Sequence, residues 1–546
     1  MNFLGTKSLL TIVAALVFFT LTIFFIAALF AAVKPTFVKD DTPFLWFGLW
    51  KVVAFSLKQA LCSTGISLIL GIAVAFYTSN RNFPGSSFLL SFSAIPLCVP
   101  PLLVALGFVM FFGMGGWLNK TLMSIFSLSE PPLSFLYSFW GIILAQGFYN
   151  FPIVMKTCHE SWLKIPAEEK QAAELLGANK FKVFRTITFF HLLPGIISSG
   201  MTVFLYCFFS FVIVLLFGGP GTRVLEVEIY QAARSRMDFT LASRLALVET
   251  LIAMVVVVFH SLWEVKSNSV KGISFQIQSE KKKNISGFRE KNLAFILGIL
   301  LILFFFMPFI SIVFSAFENQ KDGFVSNSII TNKVGFQNFI NIFSRKSFWL
   351  ALGNSLVIGI GTSLMSVFAA LFYSCLVKYI SVSKGTLFLK ILAMLPMAVS
   401  SVVMAFGIIQ LVGRGNVFSL ILAQSASCWP FSFRQIISGM DKIPKLQIQA
   451  ARCLSPNPLD QFFMLYIPVC KKNILSALGF TFAISLGDTT LPLVLAIPRL
   501  ETLALYTYKL AGSYRFNEAC ACGIILGLIT IPVFVLTSKK EKVYDK

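Results

Sequence analysis

Long apolar runs recur along the whole chain, each exceeding the roughly 20 residues that a helix needs to cross a ~30 Å hydrocarbon core. The pattern predicts twelve spans, at residues 8–33, 53–77, 86–114, 132–156, 193–217, 239–264, 293–316, 348–377, 385–412, 416–437, 474–496 and 516–537. The fold expected is an all-α membrane protein. The first span is longer than a signal-peptide core and lacks a small-residue cleavage site, so it is expected to remain as an uncleaved helix.

Composition agrees with the pattern: of 546 residues 57% are hydrophobic and 12% charged, where soluble domains carry about 45–50% and 25%. The net charge of +22 could suggest nucleic acid, but the basic residues are spread over connecting loops, as in proteins oriented by the positive-inside rule. With both termini cytoplasmic, Lys7, Arg81, the linker residues Lys266, Lys271, Lys281, Lys282, Lys283, Arg289 and Lys291, and the tail residues Lys539, Lys540 and Lys542 lie inside. Lys58 and Arg244 fall within spans. The ten cysteines have neither the pairing of a disulfide frame nor the spacing of a zinc site. Cys520 and Cys522 make only a C-x-C, and His159, His191 and His260 stand far apart, so no metal is expected.

The chain repeats itself. Leu144-Ala145-Gln146 with Pro152 recurs as Leu422-Ala423-Gln424 with Pro430, a shift of 278 from residue 144 to 422. The same shift carries Ile165-Pro166 onto Ile443-Pro444, Gln171-Ala172-Ala173 onto Gln449-Ala450-Ala451, Leu225 onto Leu503 and Tyr230 onto Tyr508. Upstream, Pro96 and Gly107 match Pro396 and Gly407 at a shift of 300, which implies extra loop residues after the third span of the first copy. Three segments follow: a first repeat at 1–264, a polar and basic cytoplasmic linker at 265–292, and a second repeat at 293–546. Six spans per repeat leave the copies parallel, related by an axis along the membrane normal and enclosing a central pathway.

Hydrophilic stretches at 156–191 and 434–473 follow the fourth and tenth spans, on the cytoplasmic side. Each opens on Ile-Pro and continues in good helix formers, as a short helix entered through proline does. In the first, Gln171, Ala172 and Ala173 are followed by Gly177 and Ile187; in the second, Gln449, Ala450 and Ala451 by Ser455, Leu465 and Pro468.

Both stretches resemble the E-A-A-x3-G-x9-I-x-L-P loop of binding-protein-dependent ABC importer permeases. The resemblance implies tandem type I (MetI-like) permease units whose loops form coupling helices in a groove of an ATPase subunit. Paired alanines allow close helix approach, and glycine allows a sharp turn. Glutamine replaces the family's glutamate in both copies, Ser455 replaces glycine in the second, and Phe190 stands where the first would carry proline. The chain has no G-x4-G-K-[ST] phosphate loop, so it is expected to be no enzyme itself and to hold no cofactor, ATP being used by a separate ATPase, expected as a dimer. A separate extracytoplasmic binding protein is the other implied partner, with membrane lipid around the chain and no nucleic acid.

Within that family the similarity is greatest to fused thiamine permeases, with ferric-ion permeases next, on Asn150-Phe151-Pro152, Gly218-Gly219-Pro220, Glu228-Ile229-Tyr230-Gln231, Ser485-Leu486-Gly487-Asp488 and Gly512-Ser513-Tyr514-Arg515. The resemblance implies import of thiamine or its phosphates across a bacterial inner membrane by alternating access. Asp488 is a carboxylate within an apolar span, which marks either a pathway residue drawing a cation or an interfacial cap pairing with a base such as Arg499. Glu249 and Arg244 of the sixth span stay equally open, their spacing of five being poor for a same-helix pair. The rival from another class is a secondary transporter of the major-facilitator type, which shares twelve spans and parallel halves but gives no reason for paired loops.

Overall fold

The computed structural model describes residues 2–37, 46–83, 85–92, 99–219, 222–269, 283–285, 287–318, 334–379, 385–455 and 457–538. Pro96, Pro220, the linker residues Lys271, Lys281 and Lys282, and the tail residues Lys539, Lys540 and Lys542 lie outside them.

The first repeat contains α1 (Asn2–Val33), α2 (Trp46–Asn80), α3 (Pro101–Phe112), α4 (Phe139–Leu163), α5 (Ala167–Leu175), α6 (Phe189–Phe208), α7 (Val212–Phe217), α8 (Leu225–Arg234) and α9 (Phe239–Ser269). The second contains α10 (Phe288–Leu301), α11 (Met307–Phe317), α12 (Lys346–Tyr379), α13 (Gly385–Met394), α14 (Ser401–Val412), α15 (Val417–Asp441), α16 (Lys445–Leu454), α17 (Ile467–Gly487), α18 (Thr490–Leu495), α19 (Leu503–Gly512) and α20 (Phe516–Ser538).

Among the described residues, nine helices are long and apolar enough to cross a membrane, and the pair α13–α14, bent by 81°, makes a tenth. The other two of the twelve expected spans are α4 and α15, each 25 residues long but more polar. They can be so because most of their side chains are buried in protein, where Gln146, Asn150, Gln424 and Ser432 never meet lipid. Many hydroxyls in the spans bond to the carbonyl one turn back, as Thr64 does to Ala60 (2.7 Å) and Thr481 to Ala477 (2.8 Å), which satisfies their donors within the helix.

Equivalent bonds recur in the two repeats. The N–H of Leu225, at the start of α8, donates to Ser56 Oγ (2.9 Å), and that of Leu503, at the start of α19, donates to Ser355 Oγ (2.7 Å). Each serine satisfies a helix-start donor that the helix itself cannot. A π turn precedes the fifth span of the first repeat at Phe184–Thr188 and that of the second at Phe462–Tyr466, again 278 residues apart.

The repeats are interleaved. α1 packs on α12 and α14 of the second repeat, and α11 packs on α3 of the first. Both crossings need glycine: a Cβ on Gly407 would lie 2.0 Å from the Ala28 carbonyl oxygen, and one on Gly107 would lie 2.6 Å from that of Pro308.

Between the repeats, α9 continues to Ser269 and α10 starts at Phe288, so helix extends into both ends of the expected linker at 265–292. Lys283 and Asn284 pair in parallel with Arg81 and Asn82, and Arg81 forms an ion pair with Glu290. At the end that carries the polar loops, Arg434 of α15 pairs with Glu264 of α9 (3.0 Å).

Candidate functional site

Besides the bent ninth span, two more spans expected to be continuous are broken, each about two-thirds of the way along. The fifth, expected at 193–217, stops at Phe208 and resumes as α7 at Val212; the eleventh, expected at 474–496, stops at Gly487 and resumes as α18 at Thr490. The second break is held by Asp488, whose Oδ1 accepts from the N–H groups of Thr490 (2.9 Å) and Leu491 (3.3 Å). A carboxylate at the N-terminus of a short helix meets open donors there. Its Oδ2 accepts from Gln424 Nε2 (3.1 Å), and Gln424 Oε1 accepts from Ser485 Oγ (2.5 Å) and Thr362 Oγ1 (3.2 Å).

These breaks open onto a cavity of about 320 Å³ between the repeats. The first repeat contributes Gln146, Tyr149, Asn150 and the stretch around Ser210; the second contributes Ser400, Gln424, Cys428 and Asp488. Aromatic rings of Tyr149, Tyr206, Phe209, Phe211, Phe431 and Phe480 line much of the rest. Asp488 is the one charged residue on this wall among the described residues, and at the same position of the first repeat stands Ser210. Asp488 thus caps a helix at the cavity wall, with Gln424 and backbone donors rather than Arg499 as its partners. Glu249 is fully buried on α9, beside Glu226 of α8 and Ser400, while Arg244 sits less than two turns away on the same helix.

The loops stand out from the helical bundle. Proline begins both short helices, Pro166 before α5 and Pro444 before α16, and Glu168 and Glu169 fill the first turn of α5, where a helix favours negative charge. α5 ends at Gly177 in the left-handed region (φ +82°), with its N–H on the Glu174 carbonyl (3.0 Å) and that of Ala178 on Ala173 (3.0 Å). α16 ends differently. Ser455 is extended (φ −148°), its hydroxyl donates to Asp460 (3.0 Å), and its carbonyl accepts from Gln461 (2.9 Å). Serine is accommodated in the second loop because no left-handed residue is needed there.

Gln171, Ala172, Gln449 and Ala450 are exposed, and Ala173 and Ala451 are half-buried. Ile187 packs against the cluster of Trp162, Ile165 and Leu192, Leu465 is half-buried, and Pro468 is exposed at the start of α17. The loops also expose large apolar side chains: Leu175 and Leu176 are each 89% accessible, Leu446 78% and Leu454 88%. Each of the two matched loops thus exposes two leucines to the surroundings, an arrangement that water disfavours.

Several residues of the cavity wall carried no functional expectation. Gln146 and Gln424 entered only as repeat markers; their signal was polarity inside otherwise apolar spans at matched positions.

Residues 67–265 and 364–538 each match the family described as "Binding-protein-dependent transport system inner membrane component". The chain belongs to this family, and is a multi-pass inner-membrane permease subunit of an importer that works with an ATPase and a binding protein. The secondary-transporter reading gives way to it. Among its relatives, the thiamine transport system permease protein of Escherichia coli is 24% identical over 535 residues, 95% of both chains. That of Haemophilus influenzae is 24% identical over 507 residues, 89% of both. A protein of Salmonella choleraesuis provisionally named as a 2-aminoethylphosphonate transport permease is 32% identical, but over 36% of this chain and 70% of its own.

Proposed function

We propose that this permease carries thiamine, an organic cation, inward through the cavity between its repeats. The observation that carries the reading is the charge of the cavity wall: one carboxylate, Asp488, faced by aromatic rings, with no Lys or Arg among the described lining residues. A positively charged heteroaromatic ring is stabilised by such a wall through the carboxylate and through ring faces. A phosphonate would meet no fixed positive charge, and a ferric ion would need several hard oxygen ligands where the wall has one carboxylate. The volume of about 320 Å³ suits a small organic molecule. Coverage of 88–95% of the thiamine permeases also supports it.

Both loops and both termini face the cytoplasm in this reading. α5 and α16 each dock into one subunit of an ATPase dimer, Gln171, Ala172, Ala173, Gly177 and Ile187 belonging to the first contact and Gln449, Ala450, Ala451, Ser455, Leu465 and Pro468 to the second. Closure of the dimer pulls the two loops together, and because the repeats are interleaved the cavity changes the side to which it opens.

The test is uptake in a thiamine-auxotrophic host lacking its own importer, with this permease expressed beside its ATPase and binding protein. Growth on low thiamine and a fall in uptake with Asp488→Asn are expected. Failure to restore growth, together with rescue of a phosphonate- or ferric-uptake mutant, would reject the substrate.

A further inference from the structure

The two repeats treat the same glutamine differently. In the second, both ends of the Gln424 amide are paired: its Nε2 donates to Asp488, and its Oε1 accepts from Ser485 and Thr362. At the same position of the first repeat, Gln146 Oε1 accepts from Gln59 Nε2, but Gln146 Nε2 has no partner among the described residues. One turn further along α4, Asn150 Nδ2 donates to the Gln146 carbonyl (3.1 Å) and to Cys207 Sγ (3.5 Å), and Oδ1 has no partner among the described residues. Both residues line the cavity, and only 1% of Gln146 and 3% of Asn150 is exposed.

An unpaired buried donor or acceptor destabilises a fold. The second repeat closes this glutamine and replaces the asparagine by Cys428, so the architecture does not impose the open pair. What remains is one donor and one acceptor without a partner among the described residues, both covered and about a turn apart, on two side chains that line the cavity.

We propose that Gln146 and Asn150 read the uncharged end of the transported molecule, pairing with an edge that sets one acceptor beside one donor, as an amide or a 4-aminopyrimidine does. The two amides turn toward the molecule as it seats, Gln146 Nε2 donating to the acceptor and Asn150 Oδ1 accepting from the amino group. The charged end lies toward Asp488, whose first-repeat counterpart is the neutral Ser210. The cavity therefore has two unlike poles, one from each repeat, and holds an asymmetric molecule in one orientation. Two identical subunits could not provide this. The proposal rests on the organic-cation reading of the cavity.

The probes are thiamine and its 4′-oxo analogue oxythiamine, whose pyrimidinone presents donor and acceptor in the reverse order. Initial uptake of each is measured in proteoliposomes holding the complete importer with wild-type permease, Gln146→Met, Asn150→Cys or Asp488→Asn. ATPase and binding protein are the same throughout, so a change in the uptake ratio reports the permease. Gln146→Met and Asn150→Cys should each lower the preference for thiamine at least about fivefold, because rejection of the analogue depends on buried partners left unpaired. Asp488→Asn should slow both compounds and leave their ratio nearly unchanged. If either amide variant fails to assemble, Gln146→Glu or Asn150→Ser should give the same fall. A wild-type preference kept intact by the amide variants, while Asp488→Asn is impaired, overturns the proposal and leaves the cation reading standing. Uptake of neither compound by the wild-type importer overturns both.

Discussion

Replacing Gly177 by alanine changes a single backbone conformation and little else. The residue sits at φ +82° and a Cβ added there meets no atom within 4 Å, so the entire cost is that of holding an L residue in the left-handed region. That cost is about 1–2 kcal/mol, which at about 1.4 kcal/mol per factor of ten lowers the population of the turn by about five- to thirtyfold. The turn fixes where Leu175 and Leu176 point, so the loss should appear as weaker capture of the ATPase. The assay is co-purification of the ATPase with tagged permease, followed by ATP-driven uptake in proteoliposomes. Two controls sharpen it. Gly177→Asn should lose much less, because asparagine visits the left-handed region readily, and Ser455→Thr should stay close to wild type, because that position is already extended and keeps its hydroxyl. Wild-type behaviour of Gly177→Ala, or equal damage from Gly177→Asn, would refute the backbone argument.

Gly407→Leu and Gly107→Leu should each lower the thermal midpoint of the detergent-purified protein, overpacking of this kind costing about 1–3 kcal/mol. Gly353→Leu, at a position where a Cβ meets nothing within 4 Å, is the comparison, and an equal fall there would count against the crossed helices. Changing Leu175 and Leu176 together to serine should weaken ATPase binding at least about tenfold, since full burial of one leucine contributes about 1.5–3 kcal/mol; unaltered affinity on a binding titration would remove this face from the contact. Cysteines placed at Gln171 and Gln449 in a cysteine-depleted variant should resist impermeant thiol reagents in intact cells and react after permeabilisation. Ready labelling from outside would reverse the orientation.

The repeat was legible because it is written in residues with local duties. Ile-Pro starts a helix wherever it stands, and the shift of 278 that it reveals is also obeyed by the π turns and by the N–H bonds of Leu225 and Leu503. The breaks at Phe209 and Asp488 were not legible from apolarity, because residues on both sides are apolar and a hydropathy window passes smoothly over them. Asp488 drew notice as a charge in a span, but its partner Gln424 is 64 positions away, and only the fold brings the two together. The crossings of α1 and α11 were hidden for a related reason. Gly407 and Gly107 marked the repeat, while the backbone each one accommodates belongs to the opposite repeat.

The interleaving also bears on how the chain is made. α1 leaves the ribosome first, yet its packing partner Gly407 is translated nearly four hundred residues later, a delay on the order of tens of seconds at about 5–20 residues per second. Until then α1 must sit in the bilayer without its native neighbour. Its makeup suits that wait: α1 and the α10–α11 span are the two most apolar of the candidate spans and the two least covered by protein, so lipid alone satisfies most of their surface. By contrast α4 and α15, with their amides, are poorly suited to such exposure. Each follows helices of its own repeat, α2 and α12, against which it packs, so it is shielded soon after insertion.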